Sequence, residues 1–328
     1  MSKIKWFIFP MIKSNTENGY PINIPQSFHC YNVISYLNCG STSVIFVVED
    51  QCNHQKYCAK IMSKIDISCK KIEKSVFNEV KVLQSINHPN IISMREFFEF
   101  KNANEEEYYV IIMEYCSKGD LLSYATNVGF SCEAQKKKII NGFLKATKYL
   151  HKNGVAHGDI KSENILLDEN LNPKLCDFGY CKISLKAGNE SKNGTIYYGA
   201  PELFVEGEFD TQKTDIYSIG ITLYTISELQ FPYKDGDQEY VINQITSGNL
   251  SFRDGIDTKL KSLVKRCTSF DPKLRPSIDD ILNDEYLIYN ENEIIKNNEI
   301  CQKEVISEFS KLNKCEDPIN DSYEVLPN

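Results

Sequence analysis

Near the middle of the chain lies the stretch His157-Gly158-Asp159-Ile160-Lys161-Ser162-Glu163-Asn164, which is followed by Asp177-Phe178-Gly179 and then by Ala200-Pro201-Glu202. The first stretch offers a carboxylate that can accept a hydroxyl proton, a lysine that can neutralise phosphate charge, and an asparagine that can bind a metal ion. The aspartate of the second stretch offers another metal ligand. This order and spacing is typical of the machinery for phosphoryl transfer.

The composition fits a soluble globular protein large enough for two packed lobes. The chain has 328 residues, of which 41% are hydrophobic and 25% are charged, and these values are ordinary for a protein with a sizeable core. Its net charge of −8 and its pI of about 5.3 argue against nucleic acid or an anionic membrane surface as the main partner, because both attract basic faces.

The cysteines and an N-terminal apolar run bear on cellular location. The twelve cysteines are irregularly spaced and form no Cys-x-x-Cys pair, which favours a reducing, cytoplasmic environment over a disulfide framework. The run from Trp6 to Ile12 contains Pro10 and is too short for a membrane span or a secretory signal. We therefore expect an intracellular protein with no membrane span.

Hydrophobic periodicity predicts a β-rich first part and a helical second part. Strands are expected between residues 31 and 57, with a turn at 50–53, and again at 109–113. A helix is expected over 72–86, where apolar residues recur at helical spacing. Further helices are predicted at 134–151, 213–229, 237–248, 257–267 and 277–283.

Together these motifs resemble the eukaryotic protein kinases of the serine/threonine type, over a span from about residue 30 to about residue 290. The resemblance implies an α+β, bilobal protein-kinase-like fold, with a small, mainly β N-lobe at 30–115 and a larger, mainly α C-lobe at 116–290. It leaves an N-terminal extension at 1–29 and a C-terminal tail at 291–328. Within the family the chain looks most like the calcium/calmodulin-dependent and AMP-activated-like group.

The resemblance also implies ATP and Mg²⁺ as cofactors and assigns catalytic roles. Asp159 would be the catalytic base, and Lys161 and Lys60 would neutralise phosphate charge. Asn164 and Asp177 would hold the metal.

A second assignment concerns the position of Lys60 on the nucleotide. Glu79 would pair with Lys60 and position it on the α- and β-phosphates, and the formation of such a pair is one switch between active and inactive states. In isolation these two residues would be read as ordinary surface charges, and it is their place in the full series of motifs that favours the pair.

The nucleotide would lie between a glycine-rich loop and the adenine pocket. The loop corresponds to Leu37, Asn38, Cys39, Gly40 and Ser41, where only the middle glycine of the family pattern is kept. Taken alone, this stretch is better interpreted as an ordinary hairpin turn. The residues matching the adenine pocket, its gatekeeper and its hinge are Ile45, Cys58, Leu166, Met113, Glu114 and Cys116. A column that ties the lobes together would comprise Leu83, Met94, His157 and Phe178.

The catalytic loop has Gly158 where the family usually has an arginine. That arginine meets a phosphorylated residue of the activation loop, so its absence predicts activity that does not require loop phosphorylation. Ser184, Ser191 and Thr195 lie between the second and third motifs. Thr195 matches a residue that contacts the catalytic aspartate and lysine rather than a phosphorylation site.

Substrate preference is read from the surroundings of Asp159. Lys161 and the stretch 194–198 resemble serine/threonine kinases, so we expect protein substrates with Ser/Thr acceptors. Asp120 and Glu163 match acidic positions that can hold basic residues of the substrate upstream of the acceptor. We also count these two residues among those predicted to bind the cofactor. A third such position is Thr225 here, and the two acids fit a solvated rim as well.

The C-terminal tail is predicted to have two parts. Residues 291–314 can form one amphipathic helix that is not basic, which argues against calmodulin as a partner, and 315–328 is expected to be disordered.

Two function classes follow from the sequence. The favoured one is an active serine/threonine kinase, and the other is a nucleotide-binding pseudokinase that acts as a scaffold.

Overall fold

The structure is a computed structural model that describes residues 22, 24–40, 43–183, 186–187 and 195–288. The first lobe is an antiparallel six-stranded sheet in the order β1-β2-β3-β4-β6-β5. Its strands are β1 Ser27–Phe28, β2 Tyr31–Cys39, β3 Val44–Asp50, β4 Lys56–Ser63, β5 Met94–Lys101 and β6 Glu107–Glu114. Two helices, α1 Lys64–Cys69 and α2 Glu73–Ser85, follow β4.

The second lobe is mainly helical within the described residues. Its helices are α3 Leu121–Asn127, α4 Glu133–Lys152, α5 Thr211–Glu228, α6 Gln238–Thr246, α7 Thr258–Cys267 and α8 Ile278–Leu282. Two short antiparallel pairs accompany them, namely β7 Ile165–Leu167 with β8 Pro173–Leu175 and β9 Lys186–Ala187 with β10 Phe209–Asp210. In the part of the chain described, no helix is long and apolar enough to span a membrane.

The sheet of the first lobe divides its side chains between two cores because successive residues of a strand point to opposite faces. On one face, Ala59 and Ile61 of β4 join a cluster with Tyr31, Phe46 and Val110, which we call the outer core. On the other face, Met62 of β4 joins a larger cluster that continues into helices α4, α5 and α7, which we call the inter-lobe core. The inter-lobe core therefore packs the two lobes against each other.

The helix and strand predictions are confirmed with small shifts in their ends. The predicted helix 72–86 is α2, and the predicted helix 134–151 is α4. The turn predicted at 50–53 joins β3 to β4. Helix α5 begins at Thr211, slightly before the expected start, because the side chain of Asp210 accepts hydrogen bonds from Gln212 N and Lys213 N and so caps it.

We expected the fold to start near Tyr31, but the sheet already begins at Ser27. Strand β1 lies inside the predicted extension 1–29 and pairs with β2. Phe28 is buried against Phe98 and Phe100, with ring centroids 6.3 and 5.7 Å away, and Ile24 is buried as well. The outer core thus includes residues of the lead-in segment. The division of the chain into extension, kinase domain and tail stays a prediction.

Several predicted features lie outside the described residues. They are the apolar run 6–12, the loop residue Ser41, the loop residues Ser184, Ser191 and Gly194, and the tail 291–328.

Candidate active site

The loop that carries Asp159 is anchored on one buried carboxylate. Asp215, near the start of α5, is 1% exposed and accepts hydrogen bonds from the backbone N–H groups of His157 and Gly158, at 2.8 and 2.9 Å. His151, in the last turn of α4, donates to the same carboxylate from Nε2 at 2.8 Å. A charged acceptor with several donors makes strong hydrogen bonds, so the second lobe fixes the loop firmly.

His157 links the loop to the residues around Asp177. Its Nε2 lies 3.0 Å from the carbonyl oxygen of Cys176, and since a carbonyl can only accept, the ring donates there. Its Nδ1 then accepts from the backbone N–H of Asp159 at 3.3 Å. The ring also packs beside Phe178, 5.1 Å between centroids. The predicted inter-lobe column is built accordingly, because Leu83, His157 and Phe178 are buried and Met94 packs against the inter-lobe core.

The carboxylate of Asp159 is held on both oxygens. Thr195 donates to Oδ1 from its backbone N–H and its hydroxyl, both at 3.1 Å. Lys161 Nζ donates to Oδ2 at 2.7 Å and to Thr195 Oγ1 at 2.7 Å. The predicted contact of Thr195 with the aspartate and the lysine is therefore confirmed. A group fixed in this way can orient an acceptor hydroxyl and take its proton.

Lys60 and Glu79 form the predicted ion pair. Lys60 Nζ lies 2.8 Å from both carboxylate oxygens of Glu79, and the side chains are 15% and 4% exposed. Burial alone would lower the pKa of Lys60, but the carboxylates of Glu79 and Asp177 raise it above its usual value. Burial raises the pKa of Glu79 while the Lys60 ammonium opposes that rise. With two such short contacts to an ammonium, we take the pair as ionised.

Asp177 lies beside the Lys60–Glu79 pair and is more exposed to solvent than either member of it. Its carboxylate Oδ1 lies 3.6 Å from Lys60 Nζ and its side chain is 38% exposed. The ammonium of Lys60 lowers the pKa of Asp177 below its usual value, with Lys161 and His157 adding to the effect. The backbone of Asp177 is left-handed, with φ 64° and ψ 76°, a conformation that costs a non-glycine residue free energy and persists only where its surroundings hold it.

The residues predicted to hold Mg²⁺ fit a metal ion of that kind. The amide nitrogen of Asn164 donates two hydrogen bonds to Asp159, one to its carbonyl oxygen at 2.9 Å and one to its Oδ2 at 3.0 Å. The amide oxygen of Asn164 therefore points away from Asp159 and can act as a metal ligand. Asp177 adds an ionised carboxylate. Mg²⁺ is commonly held by one or two protein oxygen ligands together with substrate phosphates. In the described part of the chain, no group of three or more His, Cys, Asp or Glu side chains could hold a metal.

Most of the predicted adenine residues pack on the inter-lobe core. Cys58, Leu166 and Met113 pack on the inter-lobe core, and Ile45 stands opposite Lys60 in the β3–β4 ladder. The side chain of Glu114 turns elsewhere, because it accepts from Lys174 Nζ at 2.8 Å and from Ser93 N at 2.7 Å. The backbone N–H of Glu114 also donates to the carbonyl of Ser93, at 3.0 Å. The hinge role, which concerns the backbone of residues 114–116, stays a prediction.

The thiols of this region are poor nucleophiles. Burial raises the pKa of Cys58 and of Cys116 to about 12, and raises that of Cys176 well above its usual value. The thiolate is the reactive form of cysteine. These three thiols are therefore packing groups at neutral pH.

The described part of the predicted glycine-rich loop has the geometry of a hairpin. Asn38 and Cys39 pair with Ile45 and Val44, and Gly40 N donates to the carbonyl of Ser43 at 2.8 Å. Neither Asn38 nor Gly40 has positive φ. Leu37 is 45% exposed. The freedom that the sequence allowed at Asn38 is thus unused, and the hairpin interpretation describes this part of the chain well.

The predicted substrate acids differ from one another in structure. The carboxylate of Asp120 caps α3, accepting from Ser123 N at 2.8 Å and Ser123 Oγ at 2.7 Å. Glu163 accepts from Tyr198 OH at 2.9 Å and remains partly exposed close to Asp159. Thr225 is buried in α5, with its hydroxyl donating to the carbonyl of Ile221 at 2.8 Å. Asp120 and Glu163 are thus both partly exposed, while Thr225 is buried.

A buried arginine braces the stretch Ala200-Pro201-Glu202 against the second lobe. Arg275 is buried and binds Glu202 through two nitrogens, with Nη2 to Oε2 at 2.7 Å. It also donates to the carbonyls of Ser269 and Lys213, at 2.9 and 2.8 Å. This fork of hydrogen bonds fixes Ala200-Pro201-Glu202 on the second lobe.

Sequence reasoning missed three residues that support the site. His151 binds Asp215, and Ser75 and Asn78 of α2 bind backbone carbonyls beyond Asp177. The partners of Ser75 and Asn78 lie 104 and 103 residues away in the sequence, so no local pattern could have indicated these contacts. For His151, its place in the last turn of α4, shortly before the stretch 157–164, is a weak signal.

A two-lobe fold in which the Lys60–Glu79 pair, Asp177 and the Lys161–Asp159 contact lie close to the inter-lobe core is typical of a protein kinase domain. The chain belongs to the protein kinase family, because the protein kinase domain matches residues 31–287. The predicted family and fold class are thus confirmed.

Three relatives illustrate where the chain falls within the family. It is 30% identical over 257 residues to human NUAK family SNF1-like kinase 1, covering 78% of this chain and 38% of the relative. It is 28% identical over 299 residues to the ovarian-specific serine/threonine-protein kinase Lok of Drosophila melanogaster, covering 86% and 61%. It is 30% identical over 268 residues to calcium-dependent protein kinase 4 of Plasmodium berghei, covering 78% and 49%. The chain therefore spans less than two thirds of the length of these relatives.

Proposed function

We propose that this chain is a protein serine/threonine kinase that transfers the γ-phosphate of Mg-ATP to Ser or Thr hydroxyls of protein substrates. The observation that carries the proposal is the set of contacts on Asp159, where Lys161, Thr195 and Asn164 hold both carboxylate oxygens. A scaffold has no need for a carboxylate oriented in this way. The relatives named as serine/threonine or calcium-dependent kinases support the same class.

The residues of this chain would divide the work of phosphoryl transfer. Asp159 would orient the acceptor hydroxyl and take its proton, while Lys161 and Lys60 offset negative charge on the phosphates. Asn164 and Asp177 would hold the metal. When bound, Mg²⁺ would neutralise charge on the phosphate oxygens. Positioning and electrostatics would supply most of the rate.

The decisive experiment compares Mg²⁺-dependent phosphate transfer by the full chain and by Asp159→Asn on a Ser/Thr peptide library. We expect the substitution to lower kcat about 100- to 10,000-fold, because it removes the general base. Asp254→Asn, a change at an exposed aspartate, serves as the matched control and should retain activity. Equal and negligible transfer by all three proteins, with ATP still bound, would support the pseudokinase alternative, which the eroded glycine-rich loop favours.

We further infer that transfer does not require a phosphorylated activation loop. Gly158 has no side chain that could bind a phosphate, and the loop is instead anchored by uncharged backbone donors on Asp215. Treatment of the purified chain with phosphatase should leave kcat unchanged. A loss of activity that rephosphorylation restores would contradict this inference.

Glu163 supports a preference for basic residues upstream of the acceptor. It is partly exposed and close to the catalytic base. Burial lowers the pKa of Lys161, but Asp159 and, more weakly, Glu163 raise it above its usual value. Glu163→Gln should lower kcat/KM about tenfold for an arginine-containing peptide, the equivalent of one charged hydrogen bond. The same peptide with norleucine in place of arginine is the control, and an equal loss on both peptides would contradict the assignment.

The proposed location is intracellular. The ten cysteines in the described ranges are free thiols, which supports a reducing compartment.

A further inference from the structure

Helix α2 carries three polar side chains on one face. Ser75, Asn78 and Glu79 are spaced i, i+3 and i+4, which places them side by side on a helix. Glu79 binds Lys60, as described above. The other two side chains reach a different partner.

Ser75 and Asn78 hydrogen bond to the chain that follows Asp177. Ser75 Oγ donates to the carbonyl oxygen of Gly179 at 2.7 Å, and Asn78 Nδ2 donates to the carbonyl oxygen of Cys181 at 3.1 Å. A Cβ atom on Gly179 would come within 2.9 Å of Ser75 Oγ, so the close approach depends on glycine at that position. We call these two hydrogen bonds the α2 latch.

The opposite side of the same segment is held by the catalytic loop. Lys182 N donates to the carbonyl of Ala156 and Ala156 N donates to the carbonyl of Lys182, both at 2.9 Å. Cys181, between the two attachments, is buried. The stretch 178–182 is thus fastened to α2 on one side and to residue 156 on the other. Directly before it stands Asp177, whose left-handed backbone needs support from its surroundings.

We propose that Ser75 and Asn78 are positioning residues that couple the place of α2 to the place of Asp177. Because Glu79 and the α2 latch share one helix, a shift of α2 that breaks the Lys60–Glu79 pair also breaks the latch. Both donors are uncharged, so the coupling needs no phosphate group. This inference rests on the proposed kinase function and adds the residues that hold the active arrangement together.

The test uses Ser75→Ala, Asn78→Ala and the double variant in the full chain. The matched control is Ser85→Ala, because Ser85 lies on the same helix and its hydroxyl donates only to the carbonyl of Val82 among the contacts seen. Three quantities are measured: kcat with a peptide substrate, the exchange rate of the amides of residues 181 and 182, and the midpoint of urea unfolding.

Each lost hydrogen bond should lower the ratio of latched to open segment about fivefold, which corresponds to about 1 kcal/mol. We expect amide exchange at residues 181 and 182 to rise by about that factor. We expect kcat to fall with little change in the KM for peptide, and the double variant to fall further. Ser75→Thr, which keeps a hydroxyl, should restore both the protection of these amides and kcat.

Three results would overturn the proposal. The first is unchanged exchange and unchanged kcat in the double variant. The second is a loss of kcat that follows the unfolding midpoint with exchange raised uniformly, since that would show a merely structural role. The third is a failure of Ser75→Thr to restore either quantity. If the parent chain transfers no phosphate, the proposed function fails on its own, and the exchange measurement alone then decides whether the latch exists.

Discussion

Replacement of Gly158 by alanine should be one of the most damaging small substitutions in this protein. Gly158 has φ of +79°, a left-handed backbone that alanine adopts at a cost of about 1–2 kcal/mol. A Cβ atom there would also lie 2.5 Å from the carbonyl oxygen of Tyr180. That oxygen belongs to the backbone directly after Asp177-Phe178-Gly179, so it cannot turn aside as the end of a side chain could.

The magnitude follows from these two terms. To restore a contact of 3.4 Å from 2.5 Å, the backbone at Tyr180 or Gly158 must retreat by about 0.9 Å, and overpacking of this kind costs about 1–3 kcal/mol. Together with the strained backbone, Gly158→Ala should lower the free energy of unfolding by about 2–5 kcal/mol. It should also lower kcat, because the displaced residues adjoin Asp159 and Asp177.

Gly154 provides the matched control. Its φ is +71°, yet a Cβ atom there would meet nothing within 4 Å, so Gly154→Ala carries the backbone cost without the clash. Urea unfolding of both variants should separate them by about 1–3 kcal/mol, with kcat reduced only for Gly158→Ala. If both variants unfold at the same urea concentration and retain equal activity, the argument from the close approach of Tyr180 is refuted.

Three further predictions test other parts of the structure. Burial raises the pKa of Cys58 to about 12, so iodoacetamide at pH 7 should modify the exposed Cys52 well before Cys58. The rate of modification at Cys58 should rise only as the pH approaches that pKa. Equal rates for the two thiols at pH 7, measured by mass spectrometry, would disprove the burial of Cys58. Arg275→Met should cost about 3–5 kcal/mol because it leaves Glu202 partly buried and unpaired, and Arg275→Met combined with Glu202→Gln should recover part of that loss in urea unfolding. Asp215→Asn should lower kcat by at least about tenfold, since the amide nitrogen that replaces one carboxylate oxygen cannot accept the N–H bound there and a charged hydrogen bond contributes about 1.5–3 kcal/mol. Unchanged kcat would show that the loop does not depend on this anchor.

Much of the fold could be predicted because its signals are local. Helix α2 was predicted to within a residue at each end, since Val76, Val80 and Leu83 recur at helical spacing and are buried in the structure. The pairing of Lys60 with Glu79 followed from motif order, which carries long-range information that periodicity lacks. The two side chains meet although they lie 19 residues apart.

The parts that could not be predicted depend on contacts between distant segments. Strand β1 has two residues, so it shows no alternation in sequence, and only its pairing with β2 and the burial of Phe28 reveal that it belongs to the sheet. The bond of Ser75 to Gly179 spans 104 residues, and nothing near Ser75 distinguishes it from a surface serine. The cap on α3 is different, because Asp120 directly before a helix is a known start signal that could have been read from the sequence.

The alternation of strand β4 has a consequence for how errors in the sheet would act. Cys58 and Met62 pack on the inter-lobe core, while Ala59 and Ile61 pack on the outer core, and Lys60 stands opposite Ile111 of β6. A slip of one residue between these strands would exchange the two sets of side chains. It would drive the Lys60 ammonium into an apolar cluster and remove it from Glu79. A shifted register would therefore disrupt the two cores and the Lys60–Glu79 pair at the same time. Any sheet that packs its apolar side chains correctly also places Lys60 beside Glu79.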